Sequence, residues 1–336
     1  MKKNLVRPII GITMGDPAGI GPEIIIKALS LDEIYDTCRP VVIGDSQVID
    51  KVKSTLNSDL KMKIIQDVTD ADFVLGNIDV YNLKNVNIEN LKMREVQEEA
   101  GKASVEYVLK AVELAVKNDV DAITTAPINK EAMNRAGFKY AGHTEILAEL
   151  TEAENYAMML IAGNLRIIHV TTHVSLKEAC RLITKERVLN TIKLVHTGMK
   201  NFGFEKPKIG VAGLNPHSGD GGIFGREEID VITPAIRMAE KQGMNVHGPL
   251  SPDTVFLRTN NREFDIAVAM YHDQGHIAVK MIGFSRGVNY TVGLPIIRTS
   301  VDHGTAFEIS KFRLGTADPD SLIEAVKLAA KLSKKG

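Results

Sequence analysis

Three histidines stand where short apolar runs break into polar or glycine-bearing loops: His173 in RIIHVTTHVS, His217 in IGVAGLNPHSGDGG and His272 in DIAVAMYHDQG. If the runs are strands of an open parallel sheet, their carboxyl ends are where such sheets collect ligand-binding groups. Three neutral imidazoles can hold one divalent ion and leave a coordination position open for substrate. A second cluster, TTAPINKEAMNRAGFKYAGHTEILAEL, carries Asn129, Lys130, His143 and Thr144. Imidazole, hydroxyl and helix-start amides there suit a carboxylate or phosphate, and the plainer reading makes Thr144 a helix cap. The densest cluster, YHDQGHIAVKMIGFSRGVNYTVGLPIIRTSVDHGTAFEIS, holds His272, Asp273, Lys280, Asn289, Arg298, Asp302 and His303. Arg298 can pair bidentately with an anion, and Lys280 offers a mobile ammonium that can act as an acid. His276 follows His272 by four residues and precedes Lys280 by four, close enough in sequence to line the same site.

Strand-like runs and helical patterns alternate along the chain. PIIGITM (8–14), PVVIG (40–44), VDAITTA (120–126), AMMLIA (157–162), LRIIHVTT (165–172), KIGVAG (208–213) and FDIAVAM (264–270) are short and largely apolar, as strands buried on both faces are. Residues 96–118 have helical spacing, with Val105, Val108, Val112, Ala115 and Val116 on one side. Residues 226–243 read as a helix ending at a glycine and bent at Pro234, and the final segment TADPDSLIEAVKLAAKLSKK as another. The alternation predicts an α/β fold built on a largely parallel sheet. GITMGDPAGIGPEI is neither a lysine-bearing phosphate loop nor a clean dinucleotide fingerprint; it is a tight turn or a close backbone approach to an anion.

At 336 residues the chain is long enough for two lobes, and with 44% hydrophobic and 25% charged residues it has the composition of a soluble globular protein. A formal net charge of −1 gives no electrostatic reason to expect nucleic acid or an anionic membrane as partner. Cys38 and Cys180 are too few for a disulfide framework and are expected as free thiols in a reducing compartment. The apolar stretch near Met1 is too short for a signal peptide or membrane span, so a cytoplasmic location is expected.

GITMGDPAGIGPE, TAPINKEAM, AGHTE, TTHVSL, LNPHSGDGG, YHDQG and GLPIIRTSVDHGTAFEI follow one another in this chain. In kind and order they resemble the motifs of the 4-hydroxythreonine-4-phosphate dehydrogenase family, over nearly the whole length. HGTAFEI with GTADPDSLIEAVKLA is also similar to the cofactor-binding end of isocitrate and isopropylmalate dehydrogenases.

The resemblance implies two α/β/α lobes with a central cleft. Residues 1–128 and 291–336 would form a discontinuous first lobe with NAD-binding elements. Residues 129–290 would form a second lobe with metal, substrate and dimerisation elements. It further implies that His173, His217 and His272 bind a divalent metal (Zn, Mg, Mn or Co). His143, Thr144, Lys280, Asn289 and Arg298 would contact a phosphorylated substrate, and Asp302, His303, Gly304 and Thr305 would bind NAD. The family implies a homodimer with shared active sites, His217 being among the groups supplied across the interface.

The implied reaction is oxidation of a 3-hydroxy acid followed by loss of carbon dioxide, with Lys280, or a water held by Asp273, returning a proton. Two departures bear on the substrate. His276 stands where vitamin B6 enzymes commonly carry an apolar residue, a feature similar to the branch acting on threonate or erythronate 4-phosphate. ISKFRLGTAD replaces a shorter glycine-rich turn. The expectation is therefore an NAD- and metal-dependent oxidative decarboxylase of a four-carbon sugar-acid phosphate. The alternatives are 4-hydroxythreonine 4-phosphate oxidation for pyridoxal phosphate biosynthesis, or a non-catalytic metabolite-binding protein with a structural metal.

Overall fold

A strand forms at each of the seven predicted apolar runs, and five more of the described strands lie outside those runs. In the computed structural model, which describes residues 7–307 and 314–334, the strands are β1 (Ile9–Thr13), β2 (Arg39–Gly44), β3 (Lys61–Ile65), β4 (Asn77–Asn82) and β5 (Ala122–Thr125). Next come β6 (Ala157–Ala162), β7 (Leu165–His169), β8 (Ile209–Ala212), β9 (Val246–Leu250), β10 (Ile266–Ala269), β11 (Val288–Val292) and β12 (Arg298–Val301). The chain divides into two compact units, Met1–Glu154 with Leu294–Gly336, and Asn155–Gly293.

In the first unit the strand order is β3-β4-β2-β1-β5-β12, every pairing parallel. Burial on both faces explains why β1, β2 and β5 lack polar alternation: Ile10, Ile12, Val41, Val42 and Ile123 are fully enclosed. Helix Glu98–Val116 packs on β1 and β2, and helix Asp320–Ser333 on β12, β5 and β1. The Thr299 hydroxyl donates to the Ala325 carbonyl at 2.8 Å and therefore accepts from Thr124 at 2.9 Å, tying β5, β12 and the last helix together.

In the second unit the order is β11-β6-β7-β10-β8-β9. The β11–β6 and β6–β7 pairings are antiparallel and the remainder parallel. Its core includes Leu160, Leu165, Ile167, Ala267 and Val279.

The second unit begins at Asn155 rather than at residue 129, and ends at Gly293 rather than at 290. Physically, helices Lys130–Arg135 and His143–Leu150 pack on helix Glu98–Val116 and so belong to the first unit. Residues 226–243 are not one uniform helix: a π-helical turn, Glu228–Ile232, precedes helix Thr233–Lys241, with Pro234 at the junction. Proline has no N–H to give the preceding turn, and the wider turn absorbs the loss. Residues 309–313 of the ISKFRLGTAD departure lie outside the described residues. Cys38 is buried and Cys180 exposed, both as free thiols.

Candidate active site

In the first unit, three loops follow the carboxyl ends of β1, β5 and β12, and they touch. Gly15 has φ +72°, and a Cβ there would collide with the Pro127 carbonyl oxygen. Gly19 lies against Thr305, where an added Cβ would come within 3.2 Å of the threonine Cβ. The glycines of the opening loop thus serve close approach of protein to protein, which is the turn reading.

Between these loops Asp16 is fully buried. Its Oδ1 accepts from the Ala18 N–H at 2.9 Å, and Oδ2 is buried with no hydrogen-bond partner. Burial pushes its pKa up to about 7, opposed by backbone N–H groups of Ala18 and Asn129.

The same unit holds the anion-binding candidates. Helix His143–Leu150 is capped by Gly142 with no side-chain cap bond, so Thr144 lies in the first turn and is not the cap. Arg298, on β12, is 3% exposed and donates from Nε and Nη2 to Thr125 Oγ1 at 3.2 and 2.7 Å. Burial pushes Arg298 down to about 9, with Glu145 opposing, so it stays cationic at neutral pH. Burial, and then Arg298, hold His143 well below the usual imidazole range. A neutral imidazole beside a buried guanidinium suits a ligand that brings negative charge.

Asp302, His303, Gly304 and Thr305 follow β12. Thr305 is buried, His303 and Gly304 are exposed, and the Asp302 N–H donates to Ser321 Oγ at 3.1 Å.

In the second unit His173, His217 and His272 follow β7, β8 and β10, neighbours in the parallel part of the sheet. Two of them approach. The His173 and His272 ring centroids are 5.6 Å apart, and His272 Nδ1 lies 2.6 Å from Asp273 Oδ1. A carboxylate only accepts, so Nδ1 carries the proton and Nε2 is left with a lone pair, the tautomer that suits a metal ligand. Asp273 thereby fixes the orientation of the His272 ring.

His217 is not brought to the pair. It lies on Pro216–Gly222 with φ +52°, among consecutive left-handed residues, and its Nδ1 is 3.9 Å from Asp253 Oδ2. Buried Glu228 holds this strained loop: Oε1 accepts from the N–H groups of Leu214 and Asn215, both at 2.7 Å. Among the described residues no group of three His, Cys, Asp or Glu is set to hold a metal.

Helix His272–Gly283 puts His272, His276 and Lys280 on one face, at intervals of four. The His276 ring stacks on His272 at 3.6 Å, and its Nδ1 donates to the His272 carbonyl at 3.1 Å. Lys280 lies 5.5 Å from the Phe284 ring, and Asn289 is buried in β11.

Sequence reasoning passed over His169, Asp16 and Glu228. His169 reads as a strand core residue, yet it joins the cluster, 4.8 Å from the His276 ring, and burial drives its pKa down to about 3.

The family model of the pyridoxal phosphate biosynthetic protein PdxA matches residues 36–329. An Oceanobacillus iheyensis protein named "Putative D-threonate 4-phosphate dehydrogenase" is 50% identical over 97% of this chain and 98% of its own. The crystal structure of a Klebsiella pneumoniae 4-hydroxythreonine-4-phosphate dehydrogenase superposes with TM-score 0.90 at 41% identity, covering 97% of this chain and 99% of that one. One from Burkholderia phymatum gives 0.85 at 44% identity, covering 98% and 99%. No helix among the described residues is long and apolar enough to cross a membrane.

Proposed function

The chain belongs to the PdxA family, and from that premise we propose that it is an NAD- and divalent-metal-dependent dehydrogenase that oxidises and decarboxylates a phosphorylated four-carbon 3-hydroxy acid, threonate or erythronate 4-phosphate. The observation that carries the sugar-acid choice is His276, stacked on the metal-ligand candidate His272 and aligned with Lys280. An imidazole there meets a substrate hydroxyl without charge conflict, whereas an ammonium would lie beside a bound cation.

Arg298, His143 and Thr144 are assigned to the substrate phosphate, and Lys280 and Asn289 are assigned as further polar substrate contacts on the family resemblance. Lys280 returns a proton to carbon after carbon dioxide departs. His173 and His272 fit a divalent ion by ring spacing and tautomer, and His217 completes the set from a second copy of the chain. The ion would polarise the substrate oxygen as a Lewis acid, and NAD, beside the Asp302–Thr305 loop, would accept hydride. Two features support the homodimer. His217 lies apart from its two co-ligands, and Met281 and Phe284 expose 81% and 79% of their surface at the end of the same helix.

The test is NADH absorbance with added metal over a substrate panel. Threonate or erythronate 4-phosphate should give a higher kcat/KM than 4-hydroxythreonine 4-phosphate, and chelation should abolish turnover. Preference for the amino acid would move the protein to pyridoxal phosphate biosynthesis, and no NADH from either class would favour a binding protein.

A further inference from the structure

Four imidazoles meet where β7 ends and helix His272–Gly283 begins, and His169 is the one with no task in the reading above. It closes β7, is 5% exposed, and its ring lies 4.8 Å from His276 and 6.3 Å from His272. Both ring nitrogens are buried without a hydrogen bond of good geometry, the main chain of His272 being a polar neighbour. A leucine could fill such a place at no desolvation cost, whereas buried imidazole nitrogens cost free energy. The helix also yields space for this ring: a Cβ at Gly275 would collide with His169 Nε2 and come within 2.7 Å of Ile167 Cγ2. The ring that gains a wall from this arrangement is His276. It is pressed on His272 at 3.6 Å with 12° between planes, and tied through Nδ1 to the His272 carbonyl.

We propose that His169 is a positioning residue for substrate choice, holding the His276 ring flat on His272 so that the site takes a hydroxyl rather than an ammonium at the second carbon of its substrate. This rests on the assignment of a phosphorylated four-carbon hydroxy acid as substrate. If the ring could turn away, the space beside His272 would admit water, which solvates an ammonium as well as a hydroxyl, and the discrimination would shrink. His169 itself touches no substrate; it acts through His276.

The experiment compares kcat/KM for the 2-hydroxy and 2-amino acids in the intact enzyme, His169→Ala, His276→Leu and the double variant. Each single change should lower the hydroxy-over-amino ratio about tenfold, and the double should be no worse than either, because both act through one ring. His169→Gln, which restores a polar side chain, should recover part of the ratio. Zinc content should be the same in all forms, since neither residue is a ligand. Equal losses on both substrates, or additive losses in the double, overturn the proposal. A second readout is independent of the substrate assignment: long-range proton–nitrogen spectra of the ring nitrogens. His276 should be locked as the Nδ1-protonated tautomer in the wild type and become a mixture in His169→Ala. If the wild type prefers the amino acid or turns over neither, the substrate assignment has failed, and these spectra alone judge the positioning role. Unchanged His276 signals would end it.

Discussion

Asp16 is held by its surroundings in a state that its sequence neighbours do not announce. Burial favours its protonated form, raising the folded-state pKa to about 7, while the unfolded chain releases the proton near the ordinary carboxylate value of about 4. The stability this contributes is present in full below the unfolded value and is lost as pH rises through the folded one. Asp16→Asn keeps an acceptor for the Ala18 N–H and removes the titration. Its stability relative to wild type should therefore rise between about pH 4 and 7, by an amount on the order of a few kcal/mol. Denaturant melts at both ends of the window check this, and a parallel pH dependence of the two proteins would refute it. Arg298 is a different case, a buried cation fixed by Thr125 and aimed by β12. Arg298→Ala should raise the substrate KM tenfold or more with a smaller change in kcat, because a bidentate contact to an anion is made in both ground and transition states. An unchanged KM would make the residue structural. Arg298, His173 and His272 were legible because polar residues break apolar runs there. Asp16 and His169 were not, since burial and a missing partner are properties of packing.

Helices show where local preference yields to contact. Gly101 sits inside helix Glu98–Val116, where alanine would gain about 1 kcal/mol of intrinsic helix stability. A Cβ there, however, would collide with the Ala132 carbonyl group, backbone that cannot rotate away. Gly101→Ala should thus destabilise the protein by about 1–3 kcal/mol net, the scale of an overpacked core. An unfolding midpoint equal to or above wild type would contradict that. The seven apolar runs were readable because parallel strands are apolar on both faces. β3 was not, for Lys61, Met62 and Lys63 leave it without a continuous apolar run and only its last residue is buried. The unit boundary escaped for a related reason. Helices Lys130–Arg135 and His143–Leu150 lie between β5 and β6 in sequence, and only their packing on helix Glu98–Val116 assigns them to a unit.

For the molecule as a whole, the exposed apolar end of helix His272–Gly283 ought to be covered in solution. Phe284→Asp should convert a homodimer to monomers in sedimentation velocity and cut turnover by at least tenfold, since each site would lose the His217 of a second copy; about 1.4 kcal/mol of lost coupling suffices for that factor. Monomers with full activity would sink the shared-site reading. The last helix packs on β12, β5 and β1, so the chain returns to the first unit after completing the second. That same arrangement governs how the chain is made. Thr124 and Thr299 bond across β5 and β12, yet 175 positions separate them. At ribosomal speed the interval is on the order of ten seconds or more. Throughout it the second unit, an uninterrupted stretch, can mature while β5 waits with one edge unpaired, a template for any passing strand. The residues after Gly293 act as a seal that arrives last. A premature stop there would discard little of the proposed chemistry's second unit, yet leave a nascent protein that sticks to its neighbours, and a chaperone's strongest claim on this chain falls in those seconds.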